Sequence, residues 1–129
     1  MILDNELVFS DEQAITGTAA STNAVNARSA GVGAGRQLPL YMVVDEDFNN
    51  LDSLNVALQE SSDDGDSDAY ADVLSKDVDS SDLVAGNRLY LFDIPPGTEQ
   101  YLRLNYTVSG SNPSTGALST GIVMDLQTA

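Results

Sequence analysis

The 129-residue sequence contains no cysteine and no histidine. Without cysteine, the chain has no disulfide, no thiolate nucleophile and no cysteine-ligated zinc. Without histidine, it lacks the commonest general base and the commonest metal ligand. Ser–His–Asp and Cys–His catalytic arrangements therefore cannot be built. Tryptophan is absent as well, so the chain has no indole platform for stacking a sugar ring.

Lysine is almost absent, because Lys76 is the only one. A Ser–Lys catalytic pair would depend on it, yet Asp77 and Asp79 follow closely and would keep its ammonium group charged, which is the opposite of what a base needs. Carboxylate pairs for glycoside hydrolysis need an apolar cleft that raises one pKa, whereas the acids here lie in turn clusters. We therefore expect no enzyme, no catalytic residue and no cofactor.

Positive charge is scarce throughout the chain. Five bases stand against twenty acids and give a formal net charge of −15. Nucleic acids and anionic membranes are bound through Lys and Arg, so we expect neither as a partner. The N-terminus has no basic start and no sustained apolar run, and no stretch approaches the roughly 18 apolar residues of a membrane-spanning helix. These features predict a soluble protein made in the cytoplasm.

Strand signals dominate what is present. Helix-breaking Gly, Ser, Thr, Asn and Asp recur every few residues, whereas several segments alternate apolar and polar side chains. In QYLRLNYTVSG, for example, Leu102, Leu104 and Tyr106 alternate with polar neighbours. The predicted strands are 7–10 with a continuation towards 15, 23–27, 40–45, 54–60, 70–75, 88–94, 101–108 and 118–126. This spacing predicts an all-β, antiparallel, two-sheet sandwich of about eight strands, jelly-roll-like, in one domain over residues 1–129.

Three segments depart from simple alternation. RLYLFDI (88–94) is apolar on both faces, which indicates a central strand or a strand with one face covered by something else, such as a partner subunit. Residues 16–37 are small, polar and glycine-rich, and predict a long, extended loop that bears Arg28 and Arg36 and contains one short strand. Its G-x-G-x-G pattern is followed by Pro39 and a strand, so it fails the context of a phosphate-binding loop. We expect residues 1 to about 6 to form an N-terminal arm.

The densest acidic run is SSDDGDSD. Its four carboxylates belong to Asp63, Asp64, Asp66 and Asp68. Carboxylates at alternate positions beside a glycine can wrap a calcium ion, although the spacing is not that of an EF-hand. Calcium binding and an ordinary hairpin tip both remain open for this run.

Three stretches carry a resemblance to a known family. They are ILDNELVFSDEQAITGTAASTN, LPLYMVVDEDF…LNVALQESSDDG and IPPGTEQYLRLNYTVSGS…GALSTGIVMD. In these stretches, in order and through nearly the whole chain, the sequence resembles the cement, or decoration, proteins of tailed-bacteriophage capsids. The resemblance implies a jelly-roll-like fold, a homo-oligomer, and binding on the outer capsid surface across neighbouring major capsid proteins, which resists the internal pressure of DNA. A charge of −15 suits that outer surface better than a DNA-filled interior.

The partners expected from this resemblance are the major capsid protein and further copies of the chain, within a virion assembled in the host bacterial cytoplasm. Both a dimer and a trimer would suit the apolar RLYLFDI, and we favour the dimer. The predicted capsid contacts are Ile2, Leu3, Leu7, Arg28 and Arg36, because loop contacts often carry function and cations are rare here. Alternatively, the two arginines only balance local acids. The main rival function is another β-sandwich virion component, such as a head-fibre, tail or receptor- or glycan-binding module.

Overall fold

The computed structural model describes residues 8–26, 38–94 and 100–122. These residues form nine strands and one short 3₁₀ helix, Ser80–Asp82. The strands are β1 (Val8–Ala14), β2 (Ala19–Ala20), β3 (Val25–Asn26), β4 (Leu38–Glu46), β5 (Leu51–Ser61), β6 (Ala71–Asp79), β7 (Arg88–Ile94), β8 (Tyr101–Gly110) and β9 (Ala117–Ile122). Within the same residues, no helix has the length and apolar character needed to cross a bilayer.

The strands form two antiparallel sheets. The first sheet has the order β1-β9-β4-β7, and the second has the order β2-β8-β5-β6, with β3 also pairing with β8. Because β2 and β3 pair with successive parts of β8, they act as one interrupted strand. Counted in this way, the eight strands have the orders 1-8-3-6 and 2-7-4-5, which are those of a jelly roll. The predicted all-β sandwich is confirmed.

A strand is present for each of the eight predictions, although residues 7, 27 and 123–126 of three of them lie outside the described residues, and β2 is an addition. It contains two alanines only, so it offered no alternation to read. The predicted loop 16–37 is therefore part sheet at its beginning, where β2 and β3 cover the edge of β8. Ser21 bridges the interruption, since its N–H donates to the Leu104 carbonyl and its hydroxyl accepts from the Leu104 N–H.

The core lies between the sheets and follows the predicted alternation. On β5 the side chains of Leu54, Val56 and Leu58 have no exposed surface. On β8 the same holds for Leu102 and Leu104. Burying a side chain of this size stabilises the fold by roughly 1.5–3 kcal/mol. One face of each central strand therefore packs in the core and holds the sandwich together, while the other face points away from the core.

One tyrosine hydroxyl links the two sheets through the core. Tyr106 of β8 reaches across to Ser10 of β1 and Thr120 of β9, at 2.8 and 2.7 Å. The Ser10 hydroxyl donates its single proton to Gln13 Oε1 at 2.6 Å, so Tyr106 donates to Ser10 and Thr120 donates to Tyr106. Burial raises the pKa of Tyr106 to about 12. The hydroxyl therefore stays protonated at neutral pH and acts as a structural cross-link.

The alternative that something else covers one face of β7 stays a prediction, but β7 is not a central strand. It lies at an edge of the first sheet and pairs with β4. Leu40 lies opposite Phe92 and Tyr41 lies opposite Tyr90, so Leu91 is the extra residue of a β-bulge. A bulge shifts the alternation by one residue. Apolar residues before and after the bulge consequently face the core. Strict alternation along RLYLFDI would assign them to opposite faces, which is why both faces look apolar in the sequence.

Candidate interaction surfaces

Each of the three described ranges of the chain begins and ends at the same end of the sandwich. Val8 pairs with Gly121 near the end of β9, and Leu38 pairs with Ile94 at the end of β7. In the second sheet, Asn26 at the end of β3 pairs with Tyr101 at the start of β8. The side chain of Asn23 donates to the Val8 carbonyl at 3.4 Å, which brings these ends of the two sheets together. We call this the arm end; its residues are Val8, Asn26, Leu38, Ile94, Tyr101 and Ile122.

The predicted capsid contacts, Ile2, Leu3, Leu7, Arg28 and Arg36, lie outside the described residues. They stay a prediction. The residues that flank them along the chain belong to the arm end, because Val8 follows the N-terminal arm, and Asn26 and Leu38 bound the arginine-bearing segment. Two segments that are distant in sequence are thus anchored at one end of the molecule. No pattern in the sequence indicated this common attachment.

The acidic hairpin between β5 and β6, residues 62–70, also projects from the arm end, since Ser61 pairs with Tyr101. Its carboxylates accept hydrogen bonds from the loop itself. Asp63 accepts from the backbone N–H groups of Ser67 and Asp68 at 2.8 and 3.0 Å, and these bonds lower its pKa. The buried Ser61 hydroxyl donates to the Asp68 carbonyl at 2.6 Å. The hairpin is therefore a compact, internally bonded tip.

This arrangement bears on the calcium alternative. Asp68 accepts from both the N–H and the hydroxyl of Ser62, and Asp64 accepts from the Tyr70 hydroxyl at 2.5 Å. The carboxylates are directed at separate partners. Among the residues that the structure describes, no group of three or more acidic side chains could hold a metal ion. The hairpin geometry favours the ordinary tip over a calcium site.

The outer face of the second sheet is a ladder of polar side chains. Arg103 Nε donates to Gln59 Oε1, and Gln59 Nε2 donates to Asp72 Oδ1, each at 2.8 Å. Two layers away along β5, Asn55 donates to Asp77 at 2.8 Å. These contacts run across three neighbouring strands. We call this outer surface the polar face; it includes Asn55, Gln59, Tyr101, Arg103, Asn105 and Thr107.

Arg103 ties the polar face to the acidic hairpin. Its guanidinium carbon lies 4.2 Å from the centroid of the Tyr70 ring, within the range of a cation–π contact. Burial raises the pKa of Tyr70, and its hydrogen bond to Asp64 raises it further. The alternation in QYLRLNYTVSG correctly placed Arg103 on the outer face. Its aromatic partner, Tyr70, lies more than thirty residues away in the chain. Such a contact has no local signal.

The outer face of the first sheet carries an aromatic pair. Tyr41 and Tyr90 lie opposite each other on β4 and β7, with ring centroids 5.6 Å apart and planes inclined at 62°. Tyr90 is 46% exposed and its hydroxyl is hydrogen-bonded to Asp93, which raises the pKa of Tyr90. Arg88 is exposed on the same face. Tyrosine and arginine are enriched in protein–protein interfaces, so this is a second candidate contact surface.

The two long sides of the sandwich differ. On one side β1 and the β2–β3 segment are joined by hydrogen bonds, including Asn23 N–H to the Phe9 carbonyl at 2.9 Å and Gln13 Nε2 to the Ala20 carbonyl at 3.0 Å. On the other side, the edges β6 and β7 leave a groove lined by Val78, Leu89, Tyr90 and others. The first side is closed by several hydrogen bonds, whereas the second keeps a groove that Lys76 crosses to donate to the Tyr90 carbonyl at 3.1 Å.

A family model described as Bbp16 matches residues 9–123. The match begins at the second residue of β1 and spans every later strand, so it covers the whole jelly roll. The chain belongs to the Bbp16 family. The region shared with Bbp16 includes Arg28 and Arg36, whereas Ile2, Leu3 and Leu7 precede it. A search of curated proteins found no significant match.

Proposed function

We propose that this Bbp16-family protein is a non-enzymatic structural component of a bacteriophage particle. In this proposal it binds the outer surface of the capsid across neighbouring major capsid proteins and stabilises the mature shell. Family membership is compatible with a phage structural role. The observation that carries the proposal is the arm end, where the flanks of the N-terminal arm and of the arginine-bearing segment come together.

In this jelly roll, the N-terminal arm and the arginine-bearing segment are attached at the same end. This arrangement is suited to binding two neighbouring capsid subunits. The two sheets are cross-linked through Tyr106 in the core, and the bond from Asn23 to the Val8 carbonyl joins them near the arm end. In this proposal, the segments attached there contact two neighbouring capsid subunits. Ile2, Leu3 and Leu7 then supply apolar contacts, and Arg28 and Arg36 supply charge-assisted ones.

The stabilising effect follows from linkage. A ligand that binds only the mature shell lowers the free energy of that shell by its binding free energy at each occupied site. Because one particle offers many such sites, a few kcal/mol from each copy suffices. The net charge of −15 favours the outer surface, since packaged DNA would repel the chain from the interior.

The direct test uses shells prepared without the protein. Adding it back should raise the temperature at which the shells release DNA, and should protect them from osmotic shock. Equal melting of bare and decorated shells would contradict the stabilising role. A virion component of another class, such as a tail or glycan-binding module, would leave the melting temperature unchanged.

The contact residues are tested by co-sedimentation with bare shells. The double substitution Arg28→Gln/Arg36→Gln removes two positive charges and should reduce bound protein. The matched control is Ala85→Glu/Ser111→Glu, which also lowers the net charge by two but at exposed positions at the opposite end of the sandwich. Undiminished binding of the arginine variant would show that the two arginines only balance local acids. Equal losses in both variants would show an effect of overall charge alone.

A further inference from the structure

Strand β7 offers an edge that is ready for pairing. Within residues 8–26, 38–94 and 100–122, β4 is its only strand neighbour. The Val44 N–H donates to the Asn87 carbonyl, so by alternation the backbone groups of Leu89 point towards β4 and those of Arg88 and Tyr90 point away. The Lys76 ammonium donates to the Tyr90 carbonyl at 3.1 Å from the β6 side, in agreement with this direction.

The other edges are less suited to pairing. Strand β1 and the β2–β3 segment are occupied with each other through Asn23 and Gln13. Strand β6 carries charged residues, which natural proteins use to prevent edge pairing. These are Asp72, Lys76, Asp77 and Asp79. By contrast, five of the seven residues of β7 are aromatic or aliphatic. The groove beside β7 is lined by both apolar and charged residues, namely Lys76, Asp77, Val78, Asp82, Leu89, Tyr90 and Leu91.

The bulge gives β7 a self-complementary pattern of charge. Because Leu91 is the extra residue, the side chains of Arg88, Tyr90 and Asp93 all lie on the outer face. Consider two antiparallel copies related by a two-fold axis at Tyr90. Counting back two residues from Tyr90 on one strand leads to Arg88. Counting forward two residues from Tyr90 on the other strand, and adding the extra bulge residue, leads to Asp93. Arg88 of each copy then lies opposite Asp93 of the other.

We propose that β7 pairs antiparallel with β7 of a second copy of this chain, and so joins two four-stranded sheets into one. The Tyr90 N–H and carbonyl exchange hydrogen bonds across the axis, and the carbonyl has a second lone pair for Lys76. The interface contains two Arg88–Asp93 contacts and a cluster of four tyrosines, formed by Tyr41 and Tyr90 from each copy. The β7–β7 pairing deepens the proposed function by naming the contact between copies of the chain. It rests on the proposed function only for its setting in a phage particle.

Local charge complementarity is what makes a second copy the partner. Each copy has a net charge of −15 and would repel another, so association requires a patch where opposite charges meet. An isologous interface repeats each contact twice, which doubles the effect of a single opposite-charge pair. Among the described bases, Arg103 is engaged with Gln59 and Tyr70, and Lys76 with Tyr90, whereas Arg88 is exposed on the strand edge.

The register is tested by charge exchange, with sedimentation velocity as the readout. The unmodified chain should sediment as a dimer at micromolar concentration. Arg88→Asp and Asp93→Arg should each weaken dimerisation by at least about tenfold, because like charges then face each other twice. Mixing the two single variants should give a heterodimer, since each mismatched residue then meets its opposite. The double variant Arg88→Asp/Asp93→Arg should dimerise with itself again.

A backbone test separates strand pairing from side-chain contact. Tyr90→Pro removes an N–H that points away from β4. The hydrogen bonds between β4 and β7 within one copy therefore remain, whereas the bond that the Tyr90 N–H donates to the second copy is lost. Tyr90→Val is the matched control that keeps this N–H. The proline variant should be monomeric and the valine variant dimeric, with thermal melting of both showing that they fold.

A monomeric unmodified chain would overturn the proposal. It would also be overturned by single charge variants that dimerise like the unmodified chain, or by a mixture of them that stays monomeric. These measurements use the isolated protein, so their failure is distinct from a failure of shell binding, which the co-sedimentation assay reports separately.

Discussion

The hydroxyl of Tyr106 is the most informative single group to remove. It is the middle member of a buried chain in which Thr120 donates to Tyr106, Tyr106 donates to Ser10, and Ser10 donates to Gln13. Tyr106, Ser10 and Thr120 have no exposed surface. Tyr106→Phe keeps the ring in the core and deletes only the oxygen, so it tests the link between the two sheets and little else.

The expected cost follows from which atoms lose their partner. In Tyr106→Phe the Thr120 hydroxyl loses its acceptor and Ser10 loses a donor, while the bond from Ser10 to Gln13 remains. Two buried hydrogen bonds are lost, and one of these losses leaves the Thr120 hydroxyl without an acceptor, so the cost amounts to about 2 kcal/mol. For a domain of this size that corresponds to a melting temperature lower by about 6–8 °C.

The assay is thermal and urea unfolding followed by circular dichroism. The control is Tyr101→Phe, on the outer face of the same strand, which should change stability by less than about 0.5 kcal/mol. Adding Thr120→Val to Tyr106→Phe should cost no more than Tyr106→Phe alone, because it removes the orphaned hydroxyl. If Tyr106→Phe is as stable as the unmodified protein, the buried chain of hydroxyls does not hold the sheets together.

The same variant predicts a change in alkaline stability. An unfolded tyrosine loses its proton near its ordinary pKa of 10, whereas burial holds the pKa of Tyr106 at about 12 in the folded protein. Its contribution to stability is therefore complete below pH 10 and is lost as the pH rises from 10 to 12. Tyr106→Phe should lose less stability over this interval than the unmodified protein does. Tyr70 is present in both proteins, so the difference reports on Tyr106.

Two further predictions concern loops. Gly116 has a φ of 136°, and a Cβ there would lie 2.6 Å from the Phe48 ring. Gly116→Ala should cost about 3 kcal/mol or more in urea unfolding, against about 1 kcal/mol for Gly86→Ala, where the space is open. At the acidic hairpin, backbone N–H groups lower the pKa of Asp63 below 3.8, so its contribution is present above that pH and lost on acidification. Asp63→Asn should therefore flatten the fall in melting temperature in acid.

Much of the fold was predictable because each strand covers a core on one side. The alternation on β5 and β8 depends only on neighbouring residues, and it correctly assigned Leu54, Val56, Leu102 and Leu104 to the interior. The same logic made β7 look apolar on both faces and left its place in the sheet undecided, because the bulge at Leu91 is set by its pairing with β4 and has no marker in RLYLFDI. The separation of eight strands into two sheets followed from fold-level regularities, and β2 was too short to be read.

The candidate surfaces were less predictable, because they depend on which distant residues meet. The absence of His and Cys by itself excluded the familiar catalytic groups, and the excess of acids disfavoured nucleic acid as a partner. Those conclusions need only composition, since a missing side chain is missing in every fold. The arm end, the Arg103–Tyr70 contact and the alignment of Arg88 with Asp93 on one face were decided by the tertiary structure. Each depends on strand order or register, and these are fixed by pairing between segments far apart in the chain.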